Sequence, residues 1–243
     1  MKKITILILL IFALCKWGST QDKAFDPTVT VKWAPTGLLV GNIAMQGEYS
    51  FNAKSSLTAK IGVPAGKNYH SKFHGKEIDI NMKAFSFMTG YRHYLSKRKL
   101  SGFYYEPYFK YVHQTAGGLG ETTLDNQPVT LNFTNTYNAF GFGLQLGTQF
   151  IIHKRFVLDL FFLGPEINSV NNSFRAIDPA GSESWTNIEA SQAEGDIRNF
   201  LDQFPFIKNR VDVKVDKNNK SVNADFNGWV GALRFGFSIG YAF

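Results

Sequence analysis

Apolar residues alternate with small or polar residues over much of the chain, and the alternation is clearest between Gly228 and Phe243. One side of an extended strand there carries bulky apolar residues with a single gap at Gly231: Trp229, Leu233, Phe235, Phe237, Ile239, Tyr241 and Phe243. The other side carries small residues together with Arg234. Because successive side chains of a strand point to opposite faces, the pattern predicts a strand with one lipid-facing side and one side facing a narrow interior.

The same alternation predicts eight strands, which is an even number, as expected for an antiparallel up-and-down transmembrane β-barrel. The predicted strands are Thr28–Trp33, Leu39–Phe51, Ser56–Val63, Ile78–Tyr94, Phe103–His113, Asn138–Phe150, Phe156–Leu163 and Gly228–Phe243. The alternation changes phase near Ala84–Phe85, which predicts a β-bulge there or an error in that strand assignment. The predicted fold class is therefore an all-β transmembrane barrel.

Three segments between the predicted strands are long: Pro64–Glu77, Gln114–Phe133 and Gly164–Asn227. The last is too long to be without structure in a compact fold. Apolar residues recur within it at helical spacing until Pro205 ends the run: Ile188, Ile197, Phe200, Leu201 and Phe204. After the helix, Val211, Val213 and Val215 alternate with charged residues, and the chain returns through Val222, Ala224 and Phe226. This pattern predicts a β-hairpin, and a ten-strand barrel that uses the hairpin is the alternative topology.

The N-terminus has the three parts of a secretory signal peptide. Lys2 and Lys3 precede an apolar run from Ile4 to Leu14, and the small stretch Gly18-Ser19-Thr20 comes after it. The run is shorter than the ~20 residues that cross a bilayer, so we predict residues 1–20 to be a cleaved leader and residues 21–243 to be the barrel, with residues 164–227 as its long outer insert. Cys15 follows Leu14 rather than a small residue, which makes a lipid anchor the weaker interpretation.

The composition supports a protein that is exported and crosses a membrane with β-strands. The sequence contains 23 Phe and 15% aromatic residues, yet its mean hydropathy is −0.15. An aromatic-rich chain without long apolar runs must distribute its apolar residues by alternation. The net charge is +7, and about +4 without the leader, which is too small to predict a nucleic-acid partner. The only cysteine lies in the leader, so the mature chain has no disulfide.

The predicted inward faces carry charged residues of both signs: Lys32, Glu48, Lys60, Glu106, Lys110, Asp159 and Arg234. Isolated charges inside a narrow barrel are costly, so mixed signs predict pairing. We favour a salt-bridged plug that stiffens the barrel over a conductive or ligand-binding lumen. Arg234 is expected to pair with an inward carboxylate.

Candidate catalytic and metal-binding residues are sparse, and the sequence predicts no catalytic, cofactor or metal site. His70 and His74 lie with Glu77 in a predicted basic loop, where their spacing does not converge on a metal. We expect that loop to face anionic lipopolysaccharide. His70 and Ser71 are adjacent, so a strand would turn them to opposite faces, whereas a lipid-modifying enzyme needs a nucleophile and base side by side. The prediction is therefore a non-enzymatic protein.

Several motifs resemble one family. The run Gly37–Ile43 followed by Gly47-Glu48-Tyr49, the motif Gly90-Tyr91-Arg92-His93-Tyr94 and the ending Ser238–Phe243 are similar to small outer-membrane β-barrels of Bacteroidota-type bacteria, with the general architecture of OmpA/OmpX-like eight-stranded barrels. The resemblance covers most of the mature chain and is weakest in the long insert. It implies location and fold, and it carries no activity.

The C-terminal pattern also resembles the signal that barrel-assembly machinery recognises on its substrates, formed here by Phe235, Phe237, Ile239, Tyr241 and Phe243. Strand addition to an open sheet edge would be its physical basis. The predicted function is a structural or binding role at the cell surface through the long loops. A narrow channel or small-ligand porin and a lipid-modifying enzyme are the alternatives. A soluble lipocalin-like barrel with the aromatic residues inside is the alternative fold.

Overall fold

The computed structural model describes residues 27–73, 76–180, 183–201 and 210–243, so the predicted leader and Cys15 lie outside the described residues. The described chain forms ten strands and one helix. The strands are β1 (Val29–Ala34), β2 (Asn42–Ser50), β3 (Ser55–Pro64), β4 (Lys67–Phe73), β5 (Lys76–Tyr94), β6 (Gly102–Leu124), β7 (Gln127–Ile152), β8 (Phe156–Ile177), β9 (Asp212–Asp216) and β10 (Ser221–Ala242). Helix α1 spans Asn187–Leu201, and a short 3-10 turn, Pro35–Val40, joins β1 to β2.

Eight of these strands form a closed antiparallel ring in the order β1-β2-β3-β5-β6-β7-β8-β10, and β10 pairs back to β1. Closure removes the free sheet edges of the ring. β4 pairs only with β5, and β9 pairs only with β10. The predicted hairpin is therefore present but stands outside the ring, so the ring has eight strands and the ten-strand alternative is wrong.

The lower end of the ring, as we define it, contains the short turns at residues 51–54, 95–101 and 153–155 together with Val29 and Phe243. The outer face above this end is covered by large exposed apolar side chains on every ring strand. Phe235 is 78% exposed and Phe243 is 59% exposed. The alternative of a soluble barrel with these aromatic residues inside is therefore wrong.

β6 and β7 are about twice as long as the sequence pattern predicts, and β8 and β10 are also longer than predicted, because these strands continue above the ring as a tall wall. The predicted loop Gln114–Phe133 is strand instead, joined by a two-residue turn at Asp125 and Asn126 with φ of 47° and 61°. Positive φ at both central residues is the geometry of a type I′ hairpin. Gly164–Asn227 likewise continues β8 and β10 before and after the helix.

A β-bulge interrupts β8 at Phe162. Phe162 and Leu163 both point outward, and the pairings to β7 and β10 each shift by one residue at this level. The extra residue changes the phase of the strand. Asp159 below the bulge and Glu166 above it, which would otherwise point to opposite faces, therefore both point into the barrel. The bulge predicted near Ala84–Phe85 is absent, since β5 keeps one register there with β6.

Helix α1 packs on the inner face of the tall wall and forms the cap, which we define as residues 178–180, 183–201 and 210–220. Thr186 and Glu189 form a capping box at its start: the Thr186 amide donates to Glu189 and the Glu189 amide donates to Thr186 Oγ1. Its buried residues Ala193 and Ile197 contact an apolar cluster with Trp185, Leu131 and Phe174. Ile188, predicted on the apolar side, is exposed. Within the described residues, no helix is long and apolar enough to span a membrane.

Candidate functional site

The strands bring a cluster of polar side chains together in the lower half of the ring. We call it the lower cluster and define it by five charged residues: Lys32, Glu48, Arg92, Glu106 and Asp159. Each is 2% exposed or less. Hydrogen-bonding side chains surround them: Ser56, Thr58, Tyr94, Tyr104, Gln145 and Gln149. Seven of the eight ring strands contribute, so the cluster joins almost the whole wall across the lumen.

Arg92 is the centre of the lower cluster. Its guanidinium donates to Glu106 Oε2 from Nε at 2.8 Å and from Nη2 at 2.7 Å, and to Asp159 Oδ2 from Nη1 at 2.9 Å. The same Nη1 lies 3.3 Å from Glu48 Oε2, and the guanidinium stacks 3.7 Å from the Tyr104 ring centroid. A planar donor with five N–H groups suits such a site better than a lysine would.

Lys32 forms the second positive centre, with Nζ at 2.7 Å from Glu48 Oε2, 2.8 Å from Asp159 Oδ2 and 2.6 Å from Gln149 Oε1. Its approach depends on a small residue on β10. A Cβ built at Gly240 would lie 2.6 Å from the Lys32 Cα and 2.0 Å from the backbone oxygen of Val31. The small inward face of β10 therefore leaves room for the charges of its neighbours.

The carboxylates are satisfied at both oxygens. Glu48 Oε1 accepts from Ser56 Oγ at 2.6 Å and from the Tyr94 hydroxyl at 2.6 Å. Asp159 Oδ1 accepts from the Tyr104 hydroxyl at 2.7 Å, while Glu106 accepts from Thr58 and from Gln145 Nε2. A buried charge is tolerated when its oxygens have donors, so the three carboxylates of the lower cluster have no oxygen left without a described donor.

The turn at residues 95–101 closes the barrel beneath the lower cluster. Leu100, in a left-handed conformation with φ of 53°, is fully buried against Tyr94 and Tyr104. Its carbonyl accepts from Gln149 Nε2 at 2.8 Å, which ties the turn to the network above it. The lumen therefore has an apolar stopper and a charged layer at its lower end.

The other predicted lumen charges lie higher and do not join the lower cluster. Lys110 pairs with Glu166 at 2.5 Å. Lys60 and Arg234 are half-buried, and Lys60 Nζ lies 5.8 Å from the Phe161 ring centroid. Arg234 is predicted to pair with a carboxylate, and its charge interacts with that of Glu166 without a described salt bridge. Its direct described contacts are the Met88 sulfur at 2.8 Å, the Tyr108 side chain and the Phe161 ring.

Sequence reasoning missed Arg92, the best-connected residue of the site, and also Glu166, Tyr94 and Tyr104. A signal for Arg92 exists in the sequence. Tyr91 and His93 point outward, and successive side chains of a strand point to opposite faces, so strict alternation places Arg92 on the inward face together with Gly90 and Tyr94. Glu166 had no such signal, because the bulge at Phe162 reverses the phase.

The residues of the predicted assembly signal lie on the outer face of β10. Phe235, Phe237, Tyr241 and Phe243 are exposed and Ile239 is half-exposed. The ring of Tyr241 lies 5.1 Å from that of Phe243. At the other end, His70 and Asp79 form an exposed pair on β4 and β5, whereas His74 lies outside the described residues.

Comparisons with known proteins leave the family open. No protein-family model and no curated protein matches the chain. Two solved structures are similar in shape. Acinetobacter baumannii CarO2 has 9% sequence identity and a TM-score of 0.44 over 91% of this chain and 100% of that chain. Acinetobacter baumannii CarO has 9% identity and a TM-score of 0.40 over 92% of this chain and 100% of that chain. The resemblance to Bacteroidota-type barrels stays a prediction.

Proposed function

We propose that the protein is an outer-membrane β-barrel whose lumen is plugged and whose cap acts at the cell surface, without enzymatic activity. The apolar outer belt is the observation that carries this proposal. On β7 the outward positions from Phe140 to Phe150 are apolar except for Thr148, and this length is what a tilted strand needs to cross a bilayer, about 9–11 residues. Soluble monomeric proteins rarely expose so large a contiguous apolar surface to water.

The upper limit of the belt supports the same orientation. Above Phe140 the outward residues of β7 become Asn138, Thr136 and Thr134, and above Ile167 those of β8 become Asn171 and Ser173. Short turns lie at one end of the belt and the cap lies at the other, as in outer-membrane barrels with short periplasmic turns and long outer segments. The cap and the basic strand β4 would then face lipopolysaccharide, and residues 1–20 would direct export.

The lower cluster is the reason to propose a plugged barrel rather than a narrow channel or small-ligand porin. Its ion pairs cross the lumen between β1, β2, β5, β6 and β8, and Leu100 fills the space beneath them. An ion moving through this layer would have to separate buried pairs, which costs several kcal/mol for each uncompensated charge. The barrel is therefore expected not to conduct.

Membrane residence is tested by carbonate extraction and gel mobility. The protein should stay in the membrane pellet at high pH, and its migration on SDS gels should change on heating. Release by carbonate without a mobility change would refute the membrane proposal.

Planar-bilayer recording tests the plug. The wild-type protein should give no stable conductance steps. Ohmic steps whose size changes when Lys32 and Glu48 are exchanged would refute the plug and favour the porin alternative. An acyl difference in lipid A between cells with and without the protein would instead favour the lipid-modifying enzyme.

A further inference from the structure

The described residues give the interior of the ring one more cation than carboxylates. Among the described inward-facing residues below the cap, the cations are Lys32, Lys60, Arg92, Lys110 and Arg234, and the carboxylates are Glu48, Glu106, Asp159 and Glu166. The lower cluster holds two of these cations with three carboxylates, and Lys110 pairs with Glu166. Lys60 and Arg234 therefore face a single excess carboxylate, which leaves a charge of about +1 to be balanced.

The two remaining cations share one region of the lumen. Arg234 lies 5.4 Å and Lys60 lies 5.8 Å from the centroid of the same ring, Phe161. The direct partners of Arg234 are the Met88 thioether, the Tyr108 side chain and the Phe161 ring, which are weak acceptors compared with a carboxylate. Glu166, the carboxylate whose charge interacts with that of Arg234, is already paired with Lys110. Both cations are half-buried, so each adjoins space that a water-sized particle can reach.

Polar atoms without partners surround the same region. Gln46 lies directly opposite Lys60 in the pairing of β2 with β3, and its Nε2 is buried with no hydrogen-bond acceptor in the described part of the chain. Ser238 Oγ is also buried without a described partner, two residues along β10 from Gly236, which the Phe161 ring covers. Gln145 Oε1 is buried without a described partner as well, but as an acceptor it suits a water rather than an anion. Gln145 is next to Arg234, since both flank Gly164. Buried polar groups without protein partners commonly bind ordered water or an ion.

We propose that this region, the central chamber formed by Gln46, Lys60, Gln145, Phe161, Arg234 and Ser238, binds a monovalent inorganic anion of halide size. The two cations, the Gln46 amide and the Ser238 hydroxyl supply donors, and one negative charge balances the interior. The proposal goes beyond the proposed function and does not depend on it, because these side chains face into the ring whether the outer belt meets lipid or not.

Anomalous diffraction from crystals grown in sodium bromide tests the proposal on the full chain. A bromide peak should lie between Lys60 Nζ and the Arg234 guanidinium, and Arg234→Gln should remove it. The control Lys83→Gln removes an exposed cation on the outer face of β5 and should leave the peak unchanged. A wild-type map without this peak, or an equal peak in the Arg234→Gln variant, would overturn the proposal.

Chloride-35 NMR gives a second measurement that does not need crystals. The folded protein should broaden the chloride line beyond the broadening given by Lys60→Gln/Arg234→Gln, and bromide should compete for the difference. Arg234→Lys keeps the charge and should retain most of the broadening. Circular dichroism checks that each variant is folded. Equal broadening by the wild-type protein and the folded double variant would contradict the proposal.

Discussion

In the lower part of β7, Phe140 and Phe142 point outward while Gly141 and Gln145 point into the lumen; in the upper part, Thr134 and Asn132 point outward while Leu131 points inward. The same inversion occurs on β10, where Phe235 faces out below and Phe226 faces in above. One continuous strand thus serves two environments. The geometry of alternation is constant, and only the polarity of each face is exchanged.

The exchange separates two kinds of interior. The lower interior is a charged network, in which each carboxylate has several donors and stability depends on completeness. The upper interior is an apolar cluster under α1, in which stability depends on buried area and packing. Removing one member should therefore have different consequences in the two regions, one electrostatic and cooperative, the other local.

Deleting Phe162 should have the largest effect, because the bulge at this residue lets the strand segments below and above it both direct their charged residues into the barrel. Without the extra residue, either Asp159 or Glu166 must turn to the apolar outer face. We expect the deletion variant not to form the barrel, measured by circular dichroism and protease resistance. The control Phe162→Ala keeps the residue count and should fold. A deletion variant as stable as the wild type would show that the phase is not fixed at this position.

Arg92→Met should be the most damaging substitution within the lower interior. It leaves three buried carboxylates against Lys32 alone, and breaking such a pair costs about 3–5 kcal/mol. The free energy of unfolding in denaturant measures the loss. Arg234→Met is the matched control, because Arg234 is half-buried against a sulfur and aromatic rings, and should cost about 1 kcal/mol or less. Equal losses would contradict the distinction between the two arginines.

Ile197→Ala should loosen the cap without opening the ring. Ile197 is 1% exposed, and truncating such a residue costs about 2–5 kcal/mol. Hydrogen exchange should accelerate in α1 and β9 and stay unchanged around Arg92. Ile188→Ala, on the same helix but exposed, should have little effect. Faster exchange throughout the ring would mean that the two interiors form one cooperative unit.

The smallest expected effect lies at the hairpin between β9 and β10. Hydrogen bonds from the backbone and side chain of Asn219 hold the pKa of the Asp216 carboxyl below its ordinary value. A lowered pKa means that ionised Asp216 stabilises the hairpin above the ordinary carboxyl pKa, and that this contribution disappears as the pH falls through the lowered value. Asp216→Asn should therefore weaken the hairpin slightly at pH 7 and not at low pH. NMR titration of Asp216 with a midpoint in the ordinary range would contradict this.

Alternation was sufficient to predict the lower ring, because there bulky residues outside oppose small or polar ones inside. Alternation failed in the upper part of β10, where the inward residue Phe226 is apolar and the outward residue Asn227 is polar. Lower on the same strand the inward residue Arg234 is polar and the outward residue Phe235 is apolar, so the pattern of apolar positions changes phase although the strand continues. The helix is predictable from the helical spacing of apolar residues such as Ile197. The capping box formed by Thr186 and Glu189 is a second sequence signal for the start of the helix. The lower cluster was predictable in sign and position, but its centre at Arg92 depends on contacts among several distant strands.

The ring closes where Thr28 donates to the Phe243 carbonyl at 2.9 Å and Phe243 donates to the Val29 carbonyl at 2.9 Å. β1 can therefore complete its pairing only with β10, which lies at the other end of the described chain. Pairings of such long sequence separation carry a large entropic cost and fold slowly. Until β10 arrives, the free edge of β1 is open to any other strand, and so the time before closure is when this chain is most exposed to wrong pairing.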